Sequence, residues 1–200
     1  MKNLLFIIAF TAIFYSCDSD DAPSQESLLP PITMTGENTF GCLIDGKFFK
    51  PRDGRITVNS DNKGLRIITT ESTNVEYKID DFKSNKTSSL LIHIENFRYN
   101  SSEIYLMQDS NGLSSLDGLN NTYAHCRIWK NDQLGYQRYI TFPDSGQIEI
   151  SNQINTGVTN FHNATFDMKL INTQNVNDTI NIVLGRFDLE AFTLQNTSFN

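Results

Sequence analysis

The sequence predicts an all-β domain, an antiparallel β-sandwich, and three observations lead there. Short runs in which apolar and polar residues alternate recur from Thr39 to Ala191. Turn-forming residues separate those runs, as at Asp45-Gly46, Ser60–Gly64 and Asn111-Gly112. No amphipathic stretch of helical length follows the N-terminal apolar run. Period-2 alternation at short spacing, broken by Gly, Asn and Asp, is the pattern of strands with one buried face joined by tight turns. Many such strands in one chain suggest a sandwich or a barrel.

Taken in order, residues 1–16 have the parts of a secretory signal. Lys2 is the basic start, Leu4–Phe14 the apolar core and Ser16 the small residue before a cut; the run is too short to cross a bilayer as a helix. Cys17 follows at once, and the arrangement reads as a lipoprotein signal in which Cys17 becomes the lipidated first residue. Each buried CH₂ of an acyl chain contributes about 0.8 kcal/mol to membrane affinity, so two or three chains anchor stably. Residues 17–31 read as an acidic, proline-ended flexible tether: they are rich in Ser, Asp, Glu and Pro and have no periodicity. Residues 32–200 form the expected domain, long enough for one real core.

Asn38–Ile44 and Lys47–Lys50 flank Asp45-Gly46 as a hairpin. Arg55–Asn59 and Leu65–Glu71 flank a second turn. Val75, Tyr77 and Ile79 alternate, as do Leu90, Ile92 and Ile94, then Ile104 and Leu106. A short helix is a candidate at Leu113–Leu119. Thr122–Lys130, Tyr136–Phe142, Gln147–Ser151, Ala164–Asn172 and Thr179–Ala191 supply the later strands. In the last, Ile180, Ile182 and Leu184 are out of phase with Phe187, Leu189 and Ala191, which predicts a bulge near Gly185.

The net charge is −7, and cleavage after Ser16 removes Lys2 and no acid, giving −8. An acidic mature chain argues against nucleic acid as a partner. With Cys17 assigned to lipid, Cys42 and Cys126 remain. Each lies on the apolar phase of its strand, so in an oxidising compartment they are a candidate disulfide, the alternative being two buried thiols.

Few residues carry a chemical signature. His93, His125 and His162 have no metal-ligand spacing, and no nucleophile elbow, P-loop or dinucleotide fingerprint occurs. No cofactor, metal or catalytic set is therefore expected. Asp109-Ser110-Asn111-Gly112 with Asp117-Gly118 offers oxygen ligands at calcium-like intervals but lacks the closing Glu, and polar turns use the same residues. His125, Arg127 and Trp129 share the strand face opposite Cys126. With Tyr136 and Tyr139 they are a candidate aromatic and basic binding surface, since Trp and Tyr stack on sugar rings or anchor proteins; the alternative is a face covered by other structure. Thr179, in Asp178-Thr179-Ile180, matches a short acid–hydroxyl–apolar O-glycosylation pattern and equally suits the start of a strand.

Two resemblances add to this. Cys17-Asp18-Ser19-Asp20-Asp21 resembles the acidic export tag of Bacteroidota surface lipoproteins, which implies the outer leaflet of the outer membrane. Leu29–Lys47, with Thr39-Phe40-Gly41-Cys42, and Gly185-Arg186-Phe187 resemble a group of small Bacteroidota lipoproteins that share a Thr-Phe-Gly-Cys hairpin near the start and a Gly-x-Phe strand near the end. That resemblance implies no activity, cofactor or catalytic residue. The expectation is a lipid-anchored outer-membrane protein, held to the membrane through its lipid and acting as a binding or structural module for a glycan or protein ligand. An enzyme or enzyme inhibitor at the cell surface is the alternative.

Overall fold

A computed structural model describes residues 23–55, 57, 60, 62–69, 73–113, 119–155 and 158–200. The signal segment, Cys17, Asp117-Gly118 and most of the candidate helix at Leu113–Leu119 lie outside the described residues. Eleven strands are found among those described: β1 (Thr39–Ile44), β2 (Lys47–Phe49), β3 (Leu65–Thr69), β4 (Val75–Asp80), β5 (Ser89–Ile94), β6 (Ser102–Leu106), β7 (Tyr123–Asn131), β8 (Gly135–Ile140), β9 (Gly146–Asn155), β10 (Thr159–Asn172) and β11 (Thr179–Glu190). A single helical turn, α1 (Ala191–Leu194), follows them. The chain is all-β and antiparallel, as its alternation predicts.

The strands form one sheet in the order β2-β1-β11-β10-β8-β7-β5-β4-β3, with β9 and β6 branching from β10. The branch arises because β10 is long. Residues 159–168 pair with β9, whereas Ile171 and Asn172 pair with β8 on the same edge. Two wings leaving one edge must diverge, so the sheet curls over a single core. Tyr77 on β4 thereby meets Phe187 on β11, with ring centroids 4.7 Å apart, and Phe97 stacks on His162 of β10 at 5.3 Å. The two layers expected of a sandwich are thus parts of one continuous sheet. The stretch after β2 stitches its free edge to β4: Arg52 forms a parallel bridge with Asp81, and its guanidinium takes both Asp81 carboxylate oxygens at 2.7 and 2.6 Å.

Local rules explain the turns that matter. At the β1–β2 hairpin Asp45 and Gly46 both have positive φ, 47° and 75°, which is the two-residue turn that Asp-Gly favours. The predicted irregularity in the last strand is real and sits just before Gly185. Phe166 pairs with Gly185 but Met168 pairs with Ile182, so Val183 and Leu184 stand opposite Asp167 alone. Leu184 takes a left-handed φ of 55° and its N–H donates to the Asp167 Oδ1 at 2.8 Å.

Two expectations are corrected here. Residues 25–31, read as flexible tether, are folded onto the body. Gln25–Leu28 form a 3-10 turn capped by Ser24, Gln25 Oε1 accepts from the Phe48 N–H at 3.0 Å, and Pro30 packs where Gly41 lacks a side chain. Low hydrophobicity predicts disorder only when a segment has nothing to dock on, and here a bare glycine on β1 provides the seat. Cys42 and Cys126 are both fully buried, as their phase predicts, but they are free thiols and not a bridge. They lie on β1 and β7, which are not neighbours in the sheet, and a shared core does not by itself supply disulfide geometry. No helix among the described residues is long and apolar enough to cross a membrane.

Candidate functional site

The outer face of the β7–β8 hairpin brings together most of the residues that the alternation of β7 singles out. Strand pairing sets Trp129 opposite Tyr136 and Arg127 opposite Arg138. His125, Arg127 and Trp129 share this face because Cys126, between them, is fully buried in the core. The rings of Trp129 and Tyr136 meet edge to face at 5.0 Å. Arg127 lies over Tyr136 at 3.8 Å and Lys86 over Trp129 at 4.6 Å. The result is a ladder of cation, ring, ring and cation, in which each contact contributes on the order of 0.5–1 kcal/mol at a partly exposed site and fixes side chains that would otherwise be mobile.

Tyr139 does not belong to this surface. It pairs with Cys126, is fully buried, and its hydroxyl donates to Asp178 Oδ2 at 2.8 Å. Tyr136 and Tyr139 are three residues apart, and three steps along a strand reverse the face. Arg138 takes the place on the outer face that was assigned to Tyr139. Alternation from Tyr136 along β8 already puts Arg138 on this face; that it stands opposite Arg127 is fixed only by the register across the hairpin.

Three clefts surround the hairpin. One, of about 430 Å³, is lined by Lys78, Asp80, His125, Arg127 and Arg138, with Gly112 and Leu113 on its rim. A second, of about 280 Å³, shares Arg127 and Arg138 and adds Tyr136, Thr173 and Gln174. A third, of about 360 Å³, lies at the open end of the curled sheet between Trp129, Lys130, Asp45 and Phe48. Gly112 has a φ of 73°, and a side chain there would press on Arg138.

His125 sits at the floor of the first cleft. Burial foremost, then the positive charge of Arg138, pushes its imidazolium down to about 4, so the ring is neutral at pH 7. Its Nε2 is buried without a hydrogen-bond partner. Tyr123, one strand position along, is pushed up to about 12, by burial first and then by the Glu76 carboxylate.

The other candidate residues have structural employment. His93 Nδ1 lies 3.2 Å from Glu76 Oε1, and the Tyr123 ring stacks on it at 4.6 Å; His93 and Glu76 are 0% and 2% exposed. His162 is inside the core, with Nδ1 2.7 Å from the Tyr77 hydroxyl. In the proposed calcium turn, Ser110 Oγ accepts from the Gly112 N–H and Asn111 Oδ1 from the Leu113 N–H, which are ordinary turn bonds. Among the described residues no group of three or more His, Cys, Asp or Glu is placed to hold a metal ion. Thr179 is half-buried at the start of β11, beside an Asp178 that Lys130, Tyr139 and Asn172 hold. Asn172 foremost among these keeps that carboxyl below the ordinary carboxylate range.

Comparison of the chain with protein-family models, with curated proteins and with solved structures gives no match in any of the three.

Proposed function

We propose that this chain is a lipid-anchored protein of the bacterial outer membrane, tethered through Cys17, and that its β domain is a non-catalytic binding module for a glycan. The Leu4–Phe14 apolar run, Cys17 and the acids after it support the anchor. The observation that carries the binding reading is the outer face of β7–β8, where two aromatic rings and two cations stack on one another, with Arg138 beside them, among three open clefts. Aromatic rings beside hydrogen-bonding groups in a shallow cleft suit a sugar, which offers an apolar ring face and a rim of hydroxyls.

An enzymatic reading would call on His93 and Glu76, a buried His–carboxylate pair. Both are sealed beneath Tyr123, and neither lines a cleft described above, so no substrate reaches them without unfolding the sheet face. Trp129 is the only Trp in the sequence, so its fluorescence reports on the proposed site alone. Titration with a panel of oligosaccharides should shift that emission for some members, and Tyr136→Ala should weaken the response at least tenfold. If no saccharide perturbs Trp129 up to millimolar concentration, the glycan reading fails.

A further inference from the structure

We infer that the β7–β8 face takes an acidic saccharide, with Arg127 and Arg138 gripping its anionic group across the strand pair. This rests on the glycan reading above and names the class of sugar.

The first observation is the register. Arg127 and Arg138 are direct cross-strand partners. Like charges in that position repel and destabilise a sheet, so the pair needs a counter-charge. Among the described residues neither guanidinium, nor Lys78 beside them, has an ion-pair partner. Arg127 instead rests on Tyr136, which fixes the plane of its guanidinium without neutralising it. The chain as a whole is acidic, with 23 Asp and Glu against 16 Lys and Arg, so a cationic pocket is a departure from the surface around it.

The second observation is the pocket's own balance. Lys78, Arg127 and Arg138 line the larger cleft against one carboxylate, Asp80. Asp80 is 6% exposed and faces Lys78 first and Arg66, 3.7 Å away, second, so the charges of Arg127 and Arg138 stay unmatched and the cleft is net positive. Both arginines also line the adjoining cleft, so one anionic group could reach them from either side. The guanidinium forks suit the planar, two-oxygen geometry of a carboxylate or the face of a sulfate.

The third observation separates a sugar from a bare anion. His125 Nε2 is a buried nitrogen without a partner at the edge of the same cleft. A neutral imidazole carries one N–H and one bare nitrogen, so the ring lining this cleft can meet a hydroxyl either as donor or as acceptor. A neutral hydrogen-bonding ring beside two anion-binding forks suits a ligand that brings hydroxyls as well as charge, as an acidic sugar does.

The test pairs a galacturonate hexamer with its fully methyl-esterified counterpart, which has the same rings without the charge, and adds inorganic sulfate as competitor. Binding is read by Trp129 emission and calorimetry. The acid should bind at least tenfold more tightly than the ester, weaken as NaCl is raised, and be displaced by sulfate. Arg138→Gln and Arg127→Gln should each remove most of that preference; Arg138 is exposed and unbonded, so its replacement leaves the fold intact, which thermal melting checks. On binding the acid, the His125 ring should titrate at higher pH by NMR, because an anion now faces it. Equal binding of acid and ester overturns the anion assignment while the glycan reading survives. Binding of sulfate but of neither oligomer overturns the acidic-saccharide assignment, and the glycan reading then stands or falls on the neutral oligosaccharide panel. An acid preference untouched by both arginine variants places the anion elsewhere and also overturns the inference.

Discussion

His162 shows what one buried residue contributes to the whole. Its ring is 1% exposed, stacked on Phe97 and bonded to Tyr77. Burial pushes its imidazolium down to about 4, with Glu190 opposing weakly, whereas an unfolded chain titrates near 6.5. The folded value is the lower one, so between about pH 6.5 and 4 the unfolded state binds the proton and the folded state does not. Stability is therefore present above that window and lost as pH falls through it, by about 3 kcal/mol in full. His125, depressed for the same reason, acts in the same direction. His162→Gln keeps a polar partner for Tyr77 and removes the titration, so its melting temperature should fall less steeply with acid than that of the parent; equal slopes would show that His162 is not the source. The thiols make a second residue-scale case. Burial raises Cys126 and, with Cys126 adding to the effect, Cys42 as well. Neither should react with iodoacetamide in the native protein at pH 8, and both should react once urea unfolds it. Labelling of the native protein would contradict the packing. The alternation around Cys42 and Cys126 was enough to place both inside, because burial phase is local. Whether they bond was not legible, because it depends on how β1 and β7 meet across the core.

The bulge in β11 is where sequence phase and strand pairing meet. Ile180 and Ile182 are core residues, and so are Phe187 and Leu189; an odd number of steps separates the pairs. Something between them had to absorb one residue, and that much could be read directly. Which residue bears the strain could not. Leu184 bears it, 40% exposed and left-handed, while Gly185 is required for a different reason: a side chain there would run into the Phe166 ring. The two positions should respond oppositely. Leu184→Asn, a residue that tolerates left-handed backbone, should raise stability by about 0.5–1 kcal/mol. Gly185→Ala should lower it by about 2 kcal/mol or more through overpacking. Chemical denaturation of both variants checks this, and a stabilised G185A would mean the ring has room to move. At the candidate site, legibility follows the same division. His125, Arg127 and Trp129 were visible because they sit two residues apart on one strand. Arg138 is two residues from Tyr136, so its face was legible by the same rule, but its place opposite Arg127 was not, because that is a property of two strands; Tyr139 was misplaced because closeness in sequence is not closeness on a face.

On the scale of the molecule, the fork in β10 sets the curl of the sheet, and the docked N-terminal segment sets how far the domain would stand from the anchor proposed at Cys17. A forked strand alternates like any other, so the curl of the sheet left no trace in the periodicity. The N-terminal segment is held by one carboxylate. Asp188 accepts from Thr33 Oγ1 at 2.6 Å, from the Thr35 N–H at 3.0 Å and from the Gly36 N–H at 2.7 Å. Burial alone would raise its pKa, but these bonds outweigh burial and hold it below the ordinary carboxylate value. The folded body thus extends back to the turn at Gln25. Gln25 is eight residue steps from Cys17, and at roughly 3.5 Å per extended residue the anchor proposed on Cys17 would keep that turn within about 28 Å of its attachment point. A tether running to Pro31 would have allowed roughly 50 Å. The domain should therefore lie close to the bilayer, its reach limited by the docked segment and not by chain length. Limited proteolysis distinguishes the two. Brief digestion of membrane-bound protein should release a fragment whose N-terminus lies before Gln25, and residues 25–36 should resist cutting. Asp188→Ala removes the acceptor for four donors, the Thr35 hydroxyl included, and should open that segment, so that cleavage moves into residues 29–36 while the sheet stays intact. Cys17→Ala should put the whole protein in the soluble fraction. Cleavage of the parent protein between Pro30 and Gly36 at the same rate as in the Asp188 variant would show that the segment is not clamped, and the wider reach would apply.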